Sequence, residues 1–411
     1  MFTKLSASVI VAVCLVGLWQ FEAHAELRES LLKQLAISNG LVPTPSEVPI
    51  TPLSAVGEKL FESTLLSLNG DTSCSTCHLD RFGSADGLPI AIGVGGAGEG
   101  QARLASGGAF VPRNTLPLWG RGEPDFKLFF WDGKVDGRSG SVISQFLDAP
   151  PSEDPLVVAV HLPFVEIREM VVDDPTVETT LKHETVDSAG LIYHELTERV
   201  RRNSLGSELA AAQDINVDRI EFTHIARSVA EFIRTKFQRR ETPLQKFVFG
   251  DGALTKSQIQ GGLIFYGKGR CSLCHSGPHF SDFDFHSIPT PQAGSGKNGF
   301  GVDYGRYNVT YDPADLYLFR TPPLANVSET APYSHSGAIG DLNSMIVAHF
   351  DPLRNVDPSA MGVVPRIEFY KRLGVSSSDP ALVSILSDAE VQSLVEFLMA
   401  LSFQETPLEV K

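Results

Sequence analysis

Cys74-Ser75-Thr76-Cys77-His78 is a C-x-x-C-H stretch, and the pattern returns once, as Cys271-Ser272-Leu273-Cys274-His275. Two thiols at this spacing can form thioether bonds to the two vinyl groups of a haem. The histidine that follows is then held beneath the iron as an axial ligand. The fifth cysteine, Cys14, lies in an N-terminal apolar stretch, so the rest of the chain carries four cysteines, all inside the two motifs. Four cysteines could instead build one tetrahedral zinc site, and a C-x-x-C pair can be a redox couple. Neither alternative explains a histidine after both pairs. The chain therefore reads as holding two covalent haems c, with His78 and His275 as iron ligands.

The chain has 411 residues, 42% of them hydrophobic, which is enough for two cored domains. Its formal net charge of −15 leaves no basic field for nucleic acid, but permits a basic docking partner. Residues 1–25 read as a cleaved secretory signal: Lys4, an apolar run from Val9 to Trp19 too short to span a bilayer, then Ala23-His24-Ala25. Export to a periplasm agrees with covalent haem attachment. No later segment is long and apolar enough to cross a membrane.

Taken in order, Leu27 to Leu35 suits a short helix, and four prolines make 41–53 extended, so 26–53 reads as an N-terminal linker. From Ser54, the spacing of Val56, Leu60, Leu65 and Leu66 predicts a helix that delivers the first motif. Gly57 and Phe61 recur upstream of the second motif as Gly261 and Phe265. A glycine four residues before a phenylalanine lets two helices cross closely, and its repetition suggests two related units. Residues 83–108 are glycine-rich and read as a loop, a candidate wall of the distal pocket. Residues 141–147 suggest a helix carrying Gln145, and Val157 to Val160 a short apolar element. Residues 188–202 and 218–240 are helix-like, the latter ended by Thr242-Pro243. Residues 276–315 read as loops. Leu342 to Phe350 and Asp388 to Leu401 are helical patterns. The expected architecture is mainly α, with two cytochrome-c-like haem domains and long loops: a first haem domain over 54–240 and a second over 241–411.

Two C-x-x-C-H motifs, Phe130-Trp131-Asp132-Gly133, Arg320-Thr321-Pro322-Pro323-Leu324 and Ala331-Pro332-Tyr333-Ser334-His335-Ser336-Gly337 together resemble the di-haem cytochrome c peroxidase and MauG family. The likeness spans nearly all of 50–400 and leans towards MauG-like (MbnH-like) members. It implies that Trp131 lies between the haems, and that Gln145 and Glu169 stand on the distal side of the first. It also implies that Asn114, with the carbonyls of Thr330 and Pro332, holds calcium, which accepts such an oxygen-only set. An apparent insertion between Gln145 and Glu169 keeps Glu166 as a rival acid–base. The family places the second iron's sixth ligand fourteen residues after the histidine of the Pro-Tyr-x-His motif, which counted from His335 reaches His349. Met345 is the runner-up, one turn earlier.

One departure bears on function. Peroxidases of the family carry a histidine after the first motif that caps the iron until the other haem is reduced. Here none occurs between His78 and His161. The first iron should be open, with His161 the one candidate cap. The remaining histidines, His183, His194, His224, His279 and His286, read as surface or structural. The resemblance implies an enzyme using hydrogen peroxide. Glu169 would move a proton from the inner to the outer peroxide oxygen, and a tryptophan or tyrosine of a periplasmic partner protein would be oxidised over a distance. The alternatives are peroxide removal with electrons from a small cytochrome or copper protein, and a non-catalytic electron-transfer cytochrome.

Overall fold

Gly57 and Gly261 occupy matching places in two helix crossings. A computed structural model of the protein describes residues 25–171, 186–376 and 385–403. In it, the helix Pro52–Glu62 crosses Phe222–Lys236, and the helix Lys256–Tyr266 crosses Asp388–Met399. A Cβ on Gly57 would lie 1.9 Å from the Ser228 carbonyl oxygen, and one on Gly261 would lie 1.9 Å from that of Ser393. Backbone cannot yield as a side-chain tip can, so only glycine permits either crossing. Phe61 then packs on Phe232 with ring centres 5.0 Å apart, and Phe265 on Phe397 at 5.2 Å. Gly261→Ala should lower stability by about 1–3 kcal/mol, the usual cost of overpacking. An unchanged thermal midpoint would show that the helices can separate freely.

Each crossing anchors a hydrophobic core. The first gathers Leu60, Phe61, Val158, Leu196, Ile225 and Val229 with others, the second Leu32, Leu244, Phe265, Val391, Leu394 and Phe397. The chain ends cross over. A helix over 25–38 buries Leu32 and Ala36 in the second core, with Leu32 against Gly262. Phe403 joins the first core, its ring 4.5 Å from Trp119.

Helices dominate, with three small antiparallel sheets of two-residue strands. Leu342–Phe350 forms the helix its pattern predicts, and Pro155–His161 makes a helix of the short apolar element. Other expectations are corrected. The helix expected from Ser54 starts two residues earlier, at Pro52, with Thr51 as its cap and Ser54 closing the capping box, and Leu65 and Leu66 lie in a separate 3-10 turn. Gln145 follows the strand Ile143–Ser144 and lies on no helix, because Val142, Ser144 and Phe146 alternate inward. Thr242-Pro243 ends no helix: the preceding one stops at Lys236, and Thr242 caps a new one, Pro243–Phe249, where proline at the first turn loses no hydrogen bond. The glycine-rich 83–108 stretch contains the strand Ala91–Ile92 and the helix Gln101–Ala105. Buried Arg103 organises it by donating to the carbonyls of Ile92, Gly93 and Gly96 at 2.7, 2.7 and 2.9 Å. Helices Ser204–Gln213 and Val363–Ser376 had no place in the sequence reading. Residues 1–24 of the expected 1–25 signal, with His24, and also His183, lie outside the described residues.

Candidate active site

The first motif forms one helical turn, Cys74–Cys77, whose N-cap Ser73 and Thr76 close a capping box. His78 follows, and its Nδ1–H donates to the Ser84 carbonyl at 2.8 Å. In the second motif the His275 Nδ1–H donates to the Phe280 carbonyl at 2.9 Å. Each bond fixes the tautomer that leaves Nε2 free to bind a metal. Burial pulls both imidazoles down to about 4, so they are neutral. Burial pushes the Cys74 and Cys271 thiols up to about 12, and Cys77 further, which disfavours the thiolate a redox pair needs. The four sulfurs do not converge: among the described residues, no group of three metal-binding side chains draws on both motifs. That removes the zinc alternative.

His349 faces His275 across the second site with ring centres 6.5 Å apart. A metal–imidazole bond of about 2.0 Å, plus about 1.1 Å from nitrogen to ring centre, gives about 6.2 Å for two imidazoles on one ion. The His349 Nδ1–H donates to the Met345 carbonyl at 2.8 Å, again leaving Nε2 free. Both His349 and Met345 line a large, mainly apolar cavity with Phe265, Ile346, Leu394 and Trp131. Arg320, fully buried, also lines it and donates to the Phe130 and Thr321 carbonyls at 2.9 and 3.2 Å, while its Nη2 has no hydrogen-bond partner among the described residues. A flat apolar ring bearing carboxylates, which is a haem, fits such walls and such an orphaned guanidinium.

At the first site, Glu166 and Glu169 lie on a tight turn where Arg168 adopts φ 75°. The turn packs on the glycine-rich stretch at Gly93, where a Cβ would lie 1.8 Å from the Arg168 carbonyl oxygen. Burial raises the Glu166 carboxyl, but Lys134, ion-paired to it, and Lys297 bring it down to about 2. The Glu169 carboxyl has no hydrogen bond or ion pair among the described residues, while its backbone N–H donates to the Glu166 carbonyl at 3.2 Å. Burial, with repulsion from Glu166, lifts it to about 7, and its charge acts on both Cys74 and Cys77. Two neighbouring carboxyls pushed apart in this way can divide the roles of fixed charge and proton carrier. Gln145 is exposed and has no hydrogen bond to this cluster.

His161 belongs to the hydrophobic core. Phe146, Tyr193 and Phe222 surround its ring, Nδ1 donates to the Val157 carbonyl at 2.7 Å, and Nε2 lies 3.4 Å from the Thr223 hydroxyl. Neither nitrogen is left for an iron. Trp131 is buried, and its Nε1–H donates to the Asn114 carbonyl at 3.0 Å. Asn114, Thr330 and Pro332 come together at the cavity wall, with the Asn114 amide donating to the Pro332 carbonyl at 2.7 Å. Beside Trp131, Arg113 joins Asp132 at 2.6 Å and Asp303 at 2.7 Å.

Several of these residues escaped the sequence reading. Arg320 stands inside a stretch quoted above and Lys134 directly follows one, but their pattern speaks only of turns and core. Lys297 lies in a glycine-rich loop with no local signal. His279 is buried between the halves, 3.0 Å from Asp125, and His286 lines the second cavity.

Residues 52–253 match the model of the di-haem cytochrome c peroxidase family. The chain is 27% identical to the cytochrome-c peroxidase IdrP2 of Denitromonas iodatirespirans, covering 86% of this chain and 82% of that one. It is 28% identical to the methylamine utilization protein MauG of Methylorubrum extorquens, over 74% and 70%. The fold is similar to that of a MauG-like protein associated with microbial copper homeostasis, at a TM-score of 0.63 and 22% identity, covering 88% of this chain and 93% of that one. The chain belongs to the di-haem cytochrome c peroxidase and MauG family. It is an oxidoreductase, and its family implies two haems c. No helix among the described residues is long and apolar enough to cross a membrane.

Proposed function

We propose that this protein is exported to a periplasm and uses hydrogen peroxide to oxidise a tryptophan or tyrosine of a partner protein. The haem pair would supply the redox chemistry, taking up the two oxidising equivalents of the peroxide. His78 would hold the first iron, and His275 together with His349 would hold the second. Glu169 carries the peroxide proton, while Glu166, fixed by Lys134, keeps the site's charge in place. Trp131 passes electrons between the two sites. The observation that carries this reading is the missing cap: no histidine lies in 79–160, and both ring nitrogens of His161 are engaged. Nothing then has to leave the first iron before peroxide binds. The fully oxidised protein, mixed with peroxide in a stopped-flow spectrometer without any reductant, should react at once. Reaction only after one-electron reduction would sink the proposal.

A second reading is peroxide removal with a small electron donor. It is favoured by relatives whose names are cytochrome-c peroxidases, and it shares every residue role above. Calcium belongs to either reading. Rotating the Asn114 amide would turn Oδ1 towards the Pro332 carbonyl, and two facing oxygens, with Thr330 adjoining, call for a cation between them.

The second haem gives its own test. His349→Ala should convert its low-spin signal to high spin, and Met345→Ala should leave it unchanged. The reverse pattern would make Met345 the ligand.

A further inference from the structure

Four of the chain's eight tyrosines fall within residues 304–317, and their rings form a connected series. Tyr317 lies 6.1 Å from Tyr304, Tyr304 5.9 Å from Tyr307, and Tyr307 6.0 Å from Tyr311, measured between ring centres. Burial falls from one end to the other: Tyr317 is 5% exposed, Tyr304 and Tyr307 are half-buried, and Tyr311 is 74% exposed. Ordinary core packing does not lead aromatic rings out to solvent one by one.

The buried end is tied to the Trp131 turn. The Tyr317 amide donates to the Tyr304 carbonyl at 3.0 Å, and the Arg320 amide to the Trp131 carbonyl at 2.8 Å. Arg306, between Tyr304 and Tyr307, donates to the carbonyls of Asp132 and Gly133, both at 2.8 Å. Asp303 reaches Asp132 through Arg113. Phe319, two residues from Tyr317, lines the second cavity. The Tyr317 hydroxyl donates to Glu368 Oε2 at 2.5 Å, while Lys371 pairs with Oε1 at 2.8 Å. A phenol gives up an electron readily only when its proton has somewhere to go, and an ionised carboxylate on the hydroxyl provides that acceptor. Arg372, fully buried nearby, disfavours added positive charge, so a neutral tyrosyl is the form this site accepts.

We infer that Tyr317, Tyr304, Tyr307 and Tyr311 are an electron relay from the haem region to the surface, with Tyr311 the exit at which a docked protein's phenol or indole is oxidised. The inference rests on the functional reading above. Hydrogen peroxide takes two electrons and two protons and becomes two waters. One electron leaves Tyr317 as its proton passes to Glu368. Tyr317 recovers an electron from Tyr304 and its proton from Glu368. Tyr304 and then Tyr307, both part-exposed, each release the phenolic proton to water on losing an electron and regain one from water when the next ring supplies the electron. Tyr311 finally loses its phenolic proton to solvent. A partner tyrosine or tryptophan restores Tyr311 by giving up an electron and a proton, and a second passage supplies the other electron.

The test is peroxide treatment of the di-haem protein with a nitrone spin trap and no partner, followed by peptide mass mapping. The trap should be found on Tyr311. In Tyr317→Phe and in Tyr304→Phe the Tyr311 adduct should be lost, and in Tyr370→Phe, an exposed tyrosine outside the series, it should remain. Using both relay variants covers the case where losing the Glu368 bond prevents Tyr317→Phe from folding. A changed haem spectrum with Tyr311 unmodified, or a Tyr311 adduct unaltered in the relay variants, overturns the relay alone. A haem spectrum that does not respond to peroxide overturns the functional reading and the relay with it.

Discussion

Glu169→Gln should slow the reaction of the oxidised protein with peroxide by roughly a hundredfold to ten-thousandfold, the usual worth of general acid–base assistance. The amide keeps the shape of the side chain but cannot carry a proton. Haem content and the spin states of both irons should be unchanged, because the tautomers of His78 and His275 are set by the Ser84 and Phe280 carbonyls, away from this carboxyl. The pH profile carries a second signature. Burial and Glu166 lift the Glu169 carboxyl to about 7, and only its ionised form can accept the peroxide proton. The rate should therefore be full above about 7 and fall as pH drops below it, a limb that Glu169→Gln removes. Glu166→Gln separates the two carboxyls. It takes away the repulsion that raises Glu169, so the limb should move to lower pH and remain. Equal slowing by both variants, with no shift in the limb, would contradict the division of roles.

Trp131→Phe should leave the reaction with peroxide intact and reduce oxidation of the partner protein to background. A docked protein is too large to enter a haem cleft, so its oxidation must proceed through side chains. Indole is far easier to oxidise than a phenyl ring. Trp131 is buried, lines the second cavity and is held by the Asn114 carbonyl, which fixes the ring without charging it. Phenylalanine would fill much of the same space and lose that hydrogen bond, whose net worth is only about 1 kcal/mol, so folding should survive. Unimpaired partner oxidation in this variant would remove Trp131 from the path.

Much of this geometry was written in local spacing. The paired Gly-x-x-x-Phe echoes marked both helix crossings, because a missing Cβ and a ring one turn later are local requirements of close packing. Counting from His335 reached His349, because the intervening chain is one fixed turn and one regular helix, Leu342–Phe350. What spacing could not show was tertiary. The helix over 25–38 looked like part of a linker because only Leu32 and Ala36 are turned inward, against a core more than two hundred residues away in sequence. Lys297 meets Glu166 and Glu169 only after the second half folds against the first. The spacing of Val142, Phe146 and their neighbours also satisfies a helix carrying Gln145. Alternating burial around Ile143–Ser144 decided for a strand. The glycine-rich stretch looked featureless, since a single arginine, Arg103, supplies the order that repeated side-chain patterns supply elsewhere.

The most direct test of partner oxidation is a single turnover: oxidised protein, one equivalent of hydrogen peroxide, with and without the exported protein encoded beside this gene. The account expects the peroxide-induced spectrum to persist alone and to decay faster with that protein present, and peptide mass analysis to find one of its tryptophans or tyrosines oxidised. Rapid turnover with reduced cytochrome c, and a neighbouring protein left unmodified, would contradict it and make the protein a peroxide-removing peroxidase.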